Sequence, residues 1–246
     1  MIELATETPL LRRFVDDLDR TTPRPLPARP DLSGYSAEDR EAARLAWATR
    51  IADEYRSVAV FSELLGLLAD LEAPYATLCT VQRLIGDELR HTHVMAHVVD
   101  WLGGRDDLAI DLSEMALPPR ADESAARRAV RIVGRELVVA EEESIAVLAA
   151  YRNASTEPAI RAVFQLVLTD EARHAAAGRA ILAELARTSR TADAFDGLAD
   201  EMAADRAVLR TTYRSLAIGG PGRALGGSIV LADLEAVCPA MGTLST

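Results

Sequence analysis

Apolar residues recur three and four positions apart along most of the chain, a pattern typical of amphipathic helices. Prolines and glycines interrupt this pattern and mark where helices begin and end. The interruptions after the first and third helices are short, which predicts two antiparallel helical hairpins. The five predicted helices span about residues 36–71, 73–101, 122–151, 157–187 and 192–217.

Three further segments lie outside these helices. At the N-terminus, a short helix over 3–19 and four prolines at positions 23, 25, 27 and 30 predict an arm that lies on the body. Residues 105–120 are predicted to connect the two hairpins, with a short turn at 112–115. The glycine-rich tail that follows Ile218 contains an apolar run at 229–234, from which no role is predicted.

Composition and charge narrow the classes of function. The chain has 246 residues, of which 49% are apolar and only 4% aromatic, and this favours one domain of closely packed helices. Its 27 basic residues, all arginines, oppose 38 acidic ones, and the net charge of −11 disfavours nucleic acid and anionic membranes as partners. Because the chain has no lysine, chemistry through a lysine Schiff base or a phosphate-loop lysine is excluded.

Cysteine usage and the N-terminal sequence bear on the cellular compartment. Cys79 and Cys238 are isolated, so this chain alone cannot build a paired-cysteine zinc ribbon or a rubredoxin-type iron centre. The N-terminal residues include several acids and lack a signal region, and nowhere do about eighteen uncharged apolar residues run together. We therefore expect a soluble cytoplasmic protein.

One pentapeptide pattern occurs twice. The sequence Asp87-Glu88-Leu89-Arg90-His91 is repeated, eighty-three positions later, as Asp170-Glu171-Ala172-Arg173-His174. In each copy the glutamate and the histidine are three residues apart, so they project from one helix face and can offer a metal ion one oxygen and one nitrogen. The alternative, a surface salt-bridge ladder, explains one copy but explains two poorly. The repeat therefore predicts two metal ions.

Two ions need further ligands from the partner helix of each hairpin. Residues that are equally far from a hairpin turn lie side by side, because an α-helix rises about 1.5 Å per residue. A turn near residue 72 places Glu54 at the depth of the first motif. A turn near residue 155 places Glu136 at the depth of the second motif, with the acids at 141–143 progressively closer to the turn. Glu54 and Glu136 are therefore the predicted additional ligands.

Glu143 and two histidines leave alternatives open. Glu143 lies two turns after Glu136 on much the same helix face and stays a candidate ligand, against the alternative of a solvated or salt-bridged acid. His93 and His97, one helical turn apart, point largely away from His91, which favours packed or surface histidines. His97 could still line a substrate pocket or relay protons.

The complete pattern resembles a known superfamily. Thirty-two residues lie between Glu54 and the first motif, and thirty-three lie between Glu136 and the second. This doubled glutamate and Asp-Glu-x-Arg-His pattern resembles the ferritin-like diiron-carboxylate superfamily, particularly its oxygen-activating members, over about residues 40–188. The resemblance implies an all-α fold: a ferritin-like four-helix bundle of two antiparallel hairpins with a long crossover, an N-terminal arm and an additional C-terminal helix. It implies one ferritin-like domain over 1–246, with the arm at 1–35, the metal-binding bundle at 36–188 and the extra helix and tail at 189–246.

The same resemblance implies a role for each residue of the site. Asp87 and Asp170 would each accept a hydrogen bond from the far nitrogen of a ligating histidine, and Arg90 and Arg173 would neutralise these two acids. Glu88 and Glu171 would bridge the ions. The implied iron ligands are Glu54, Glu88, His91, Glu136, Glu171 and His174.

Elementary electrostatics agrees with a two-metal centre. Four carboxylates that converge without cations would raise one another's pKa values, whereas two divalent ions offset their charge. Mixed oxygen and nitrogen donors suit iron or manganese better than zinc, so we expect two iron ions, with a manganese and iron pair as the alternative.

The predicted function is that of a diiron oxygenase that uses dioxygen and an external electron donor to hydroxylate or N-oxygenate a small organic substrate, in specialised metabolism. The chain departs from diiron N-oxygenases at Val167, where they carry a third histidine one turn before Glu171, and this puts amine oxidation in doubt. The small residues at 175–178 either leave room for a substrate or serve close helix packing.

The alternative functions are those of a ferritin-like ferroxidase and iron-storage protein, or of a rubrerythrin-like peroxide reductase. The lack of a cysteine cluster weakens the second of these. A homodimer is compatible with an oxygenase.

Overall fold

The computed structural model describes residues 2–3, 26–104, 109–110 and 117–239. In these residues the fold is all-helical, as the sequence predicts, apart from two short strands. The strands β1 (Ile2–Glu3) and β2 (Ala109–Ile110) pair antiparallel, with Ile2 opposite Ile110. The helices are α1 (Ala37–Asp70), α2 (Tyr75–Leu102), α3 (Ala125–Ile132), α4 (Glu141–Ala154), α5 (Pro158–Leu185), α6 (Leu198–Leu216) and α7 (Leu231–Val237).

Short loops organise the long helices into two hairpins. Ser36 caps α1, because its hydroxyl oxygen accepts a hydrogen bond from the backbone N–H of Asp39 at 3.0 Å. Residues 71–74 connect α1 to α2, and residues 155–157 connect α4 to α5, where the Glu157 carboxylate accepts from the backbone N–H of Ala159 at 3.3 Å. Loops of this length make the consecutive helices antiparallel neighbours.

The apolar core is divided into two clusters along the length of these helices. Between the two clusters, α1, α2, α4 and α5 each contribute acidic or histidine side chains in place of apolar ones. The first apolar cluster contains Trp47, Ile51, Val98, Phe164 and Val167. The second apolar cluster contains Phe61, Leu64, Val81, Leu137 and Ile181.

The connection between the hairpins joins opposite ends of the core. Leu102, at the end of α2, belongs to the first apolar cluster, whereas Ala129, in the first turns of α3, belongs to the second. The chain between them therefore passes from one end of the helices to the other. The turn predicted at 112–115 lies outside the described residues, and so do positions 4–19 of the predicted N-terminal helix and the prolines at 23 and 25.

The third predicted helix contains a wider segment. Residues 125–154 are helical without a break, but Val133–Ala140, between α3 and α4, form a π-helix. Gly178 of α5 packs directly against this segment, since a Cβ atom at position 178 would lie 2.7 Å from the carbonyl carbon of Leu137. Of the two roles considered for the small residues at 175–178, Gly178 thus serves close helix packing rather than space for a substrate.

The C-terminal part of the chain covers the second hairpin. Residues Ser189–Phe195 form a 3-10 helix rather than the start of the predicted fifth helix, and α6 packs on the π segment and α4. The tail folds back, so that Leu225 is buried in the first apolar cluster and α7 packs against α4. At the other end of the chain, Leu32 and Leu26 pack against the first apolar cluster too. None of the described helices combines the length and apolar character needed to cross a membrane.

Candidate metal centre

Six carboxylate and histidine side chains meet between the two apolar clusters. They form two groups whose ligand atoms lie within 4.8 Å of one another, and these groups share Glu88 and Glu171. The Glu54 side chain is 12% exposed, whereas the other five residues are buried. The first group is Glu54, Glu88, His91 and Glu171, and the second is Glu88, Glu141, Glu171 and His174.

Both histidines present the same ring nitrogen to the carboxylates. Nδ1 of His91 lies 3.1 Å from Glu54 and 3.3 Å from Glu171. Nδ1 of His174 lies 2.9 Å from Glu88 and 3.4 Å from Glu171. The two rings are 5.6 Å apart between centroids. Each half of the site thus offers one imidazole nitrogen, one carboxylate of its own and two shared carboxylates.

The contact between His174 and Glu88 fits a metal ion better than a hydrogen bond. Nδ1 of His174 and Oε1 of Glu88 are both buried and have no hydrogen-bond partner among the described residues, although they lie 2.9 Å apart. Burying polar atoms without partners destabilises a fold, so these two atoms indicate a further group that binds between them. A cation that accepts the nitrogen lone pair and a carboxylate oxygen meets that requirement, and the residues present fit a metal centre.

Hydrogen bonds behind the histidines cross between the two motif copies. Nε2 of His91 lies 3.3 Å from Asp170, and Nε2 of His174 lies 3.4 Å from Asp87. A histidine that binds metal through one nitrogen commonly donates from the other to a carboxylate, and this fixes its tautomer and orientation. The two aspartates therefore direct both Nδ1 atoms into the site.

Two arginines join the aspartates. Arg90 contacts Asp87 at 2.9 Å and also pairs with Asp170. Arg173 pairs with Asp170 and lies 3.6 Å from Asp87. Although burial alone would raise the pKa of Asp170, hydrogen bonding to His91 and the positive charge of Arg90 hold that pKa well below its usual range. Asp170 is therefore ionised at neutral pH.

Without a cation the site would have to hold protons. Burial, together with repulsion from Glu171, raises the pKa of Glu141 well above its ordinary value. Burial also raises the pKa of Glu54, against the opposing effect of His91. Although burial would lower it, the hydrogen bond to Asp87 and the nearby carboxylates of Glu171 and Glu88 raise the pKa of His174 to about 11. Divalent ions would displace these protons, because metal ligands bind in their deprotonated forms.

The structure places Glu141, not Glu136, beside the second motif. Glu136 lies in the π segment and accepts a hydrogen bond from Nη1 of Arg56 at 2.8 Å. The prediction of Glu136 assumed an unbroken α-helix and a turn at residue 155. In the structure the loop is centred one residue later, and residues 133–140 form a π-helix. Glu141 and Glu171 are equally far from Thr156 along the chain, a symmetry that the actual loop position would have revealed.

The two additional candidates lie outside the centre. Glu143 is buried but pairs with arginines of α6, accepting from Nε of Arg210 at 2.9 Å and also from Arg206. It is thus a salt-bridged acid, the alternative considered for it. His97 contacts His93, with their Nε2 atoms 3.1 Å apart, and neither belongs to the two groups found among the described residues.

Comparison with known protein families, with curated proteins and with solved structures found no match to this chain. The interpretation of the site therefore depends on its own geometry and chemistry.

Proposed function

We propose that this chain is a ferritin-like diiron oxygenase, which activates dioxygen to oxidise a small organic substrate. The observation that carries the proposal is the pair of ligand groups that share Glu88 and Glu171. Two carboxylates common to both groups would bridge two ions, while Glu54 and His91 on one side and Glu141 and His174 on the other would complete the two sets.

The helix arrangement supports a four-helix bundle with a long crossover. α1 and α5 run from the first apolar cluster towards the second, whereas α2 and the helical run 125–154 go the opposite way. In this order the second and third helices are parallel, so their connection must span the bundle, as it does in ferritin-like folds.

The donor set favours iron. Four carboxylates and two imidazoles balance two divalent ions and leave room for further ligands, whereas structural zinc more often takes tetrahedral sites with thiolates. When bound, two ferrous ions supply the electrons and the Lewis acidity for the activation of dioxygen. A manganese and iron pair would use the same residues.

The protein's own groups would hold and shield this centre. Asp87 and Asp170 orient the histidines, and the two apolar clusters above and below the site keep water from it. Cys79 is exposed and Cys238 is partly exposed, and both are free thiols, so an external donor would deliver the electrons. We propose dioxygen, a small molecule and this donor as partners, and neither nucleic acid nor membrane.

Metal analysis and oxygen uptake test the proposal together. The protein reconstituted with ferrous iron under nitrogen is expected to hold two irons per chain and to consume dioxygen after mixing. E171Q should lose most of the bound iron and the oxygen uptake. E142Q alters an acid on the outer face of α4 that pairs with Arg179 and Arg206, and should retain both. Less than one metal ion per chain in the wild-type protein would contradict the proposal.

An iron-storage ferroxidase is the second candidate, since the same six ligands would also hold ferrous ions while dioxygen, as the electron acceptor, oxidises them. The two functions differ in assembly and in substrate dependence. A hollow multi-subunit shell that accumulates iron mineral would favour storage. A monomer or dimer whose oxygen uptake is accelerated by an organic compound would favour the oxygenase.

A further inference from the structure

Arg50 is a cation enclosed by aromatic rings one helical turn from the metal centre. Its guanidinium carbon lies 4.1 Å from the ring centroid of Tyr151, 4.8 Å from that of Trp47 and 5.3 Å from that of Phe164. The rings belong to α4, α1 and α5, so three helices hold the guanidinium in place. Such an arrangement orients its hydrogen-bond donors in advance.

One end of this guanidinium lacks an acceptor. Nη2 donates to the carbonyl oxygen of Gly226 in the C-terminal tail at 2.9 Å. Nη1 is buried and has no hydrogen-bond partner among the described residues. A buried charged donor without an acceptor destabilises the folded protein. The tail therefore accounts for one end of Arg50 and leaves the other unexplained.

Arg50 lies close to the ligand set. Arg50 and Glu54 are four residues apart on α1, and residues at this spacing are neighbours on one helix face. Glu54 is also the member of the six that is partly exposed, so the centre is nearest to solvent on this side. Nη1 itself is inaccessible to solvent.

We propose that Arg50 binds the carboxylate of the substrate, so that the oxygenase acts on a monocarboxylic acid with an apolar body. The charge of Arg50 would meet the carboxylate, and Tyr151, the partly exposed ring of the three, would pack against the apolar body. A monoanion fits better than a phosphate, because the negative charges of Asp53 and Glu54 already act on Arg50 and would repel a second negative charge on the substrate. This inference identifies the substrate class for the function proposed above and rests on it.

The test is a titration of the full-length protein, both iron-loaded under nitrogen and metal-free, with benzoate and hexanoate. Each acid is paired with its neutral amide, and binding is followed by calorimetry and by tryptophan fluorescence, which Trp47 should report. At least one acid is expected to bind at least tenfold more tightly than its amide. R50Q should lose this preference, whereas R50K, which keeps the charge, should retain part of it.

R152Q is the matched control, since Arg152 is a neighbouring arginine of α4 that hydrogen-bonds Gln165 on the exposed surface. It should bind the acids as the wild-type protein does. Circular dichroism of R50Q separates lost binding from lost folding. Equal affinity of R50Q and wild type for the acids, or no preference of the wild-type protein for any acid over its amide, would overturn the proposal. A failure of the diiron assignment would appear separately, as missing iron in a protein that still binds the acids.

Discussion

Nε2 of His91 lies 3.3 Å from Oδ2 of Asp170, although the two residues belong to different hairpins and different copies of the motif. His174 has the same relationship with Asp87, at 3.4 Å. Each aspartate therefore orients the histidine of the other motif and not the one in its own pentapeptide. The two halves of the centre are consequently interdependent.

Replacing Asp170 with asparagine is expected to weaken metal binding by about 10–100-fold, because the amide no longer holds the His91 tautomer as a carboxylate does. Asp170 orients His91, which belongs to the other hairpin. D170N should therefore weaken metal binding little further in an H91A variant, and should weaken it fully in an H174A variant. Metal titrations of the single and double variants measure this coupling.

D205N is the control for charge alone, since Asp205 pairs with Arg135 of the π segment at 3.5 Å, outside the centre. It should leave metal affinity unchanged. Coupling of D170N to His174 in place of His91 would refute the crossed arrangement.

Glu141 and Glu136 give opposite expectations for metal content. E141A removes a carboxylate from the group that contains His174 and is expected to reduce binding to about one ion per chain. E136A breaks the pair with the partly exposed Arg56, which should cost about 1 kcal/mol of stability and leave both ions in place. Elemental analysis after dialysis distinguishes the two variants. Loss of an ion from E136A alone would show that Glu136, and not Glu141, is the ligand.

Alanine at position 178 is expected to destabilise the protein. Its Cβ would lie 2.7 Å from the backbone carbonyl carbon of Leu137, so α5 and the π segment would have to separate, at a cost of about 1–3 kcal/mol. Nothing lies within 4 Å of a Cβ atom at Gly66, about one turn before the end of α1. G66A should therefore stabilise the protein by about 0.5–1 kcal/mol. Urea unfolding of both variants tests the contrast, and equal effects would refute it.

Stability should depend on pH through the ion pair of Glu123 and Arg131, whose side chains are 4% and 3% exposed. Hydrogen bonding to Arg131 holds the pKa of Glu123 below its ordinary value. A lowered folded-state pKa stabilises the fold above the unfolded-state pKa of about 4.3, and this contribution is lost as pH falls through the folded-state pKa.

E123Q is therefore expected to be less stable than the wild-type protein by about 1–3 kcal/mol at pH 7. The difference should shrink progressively below about pH 4.3. Denaturant midpoints measured across this range provide the test. A difference that stays constant between pH 7 and pH 3 would mean that the charge of Glu123 is not responsible.

Much of the architecture could be read from the residues because it depends on local interactions. Helix caps, prolines and apolar spacing act within one or two turns, and α1, α2 and α5 begin and end within two residues of the predicted bounds. The last long helix was less predictable. α6 begins at Leu198 and not near residue 192, because the segment before it forms a 3-10 helix.

The sequence by itself determined the two hairpins, the doubled motif and the depth of Glu54, since each follows from helix geometry and loop position. The tertiary structure decided which acid completes the second half of the centre. The π segment and the position of the loop place Glu141 there, whereas Glu136 pairs with Arg56. It also decided which aspartate supports which histidine. Those pairings join residues about eighty positions apart, and only the packing of α2 against α5 brings them together.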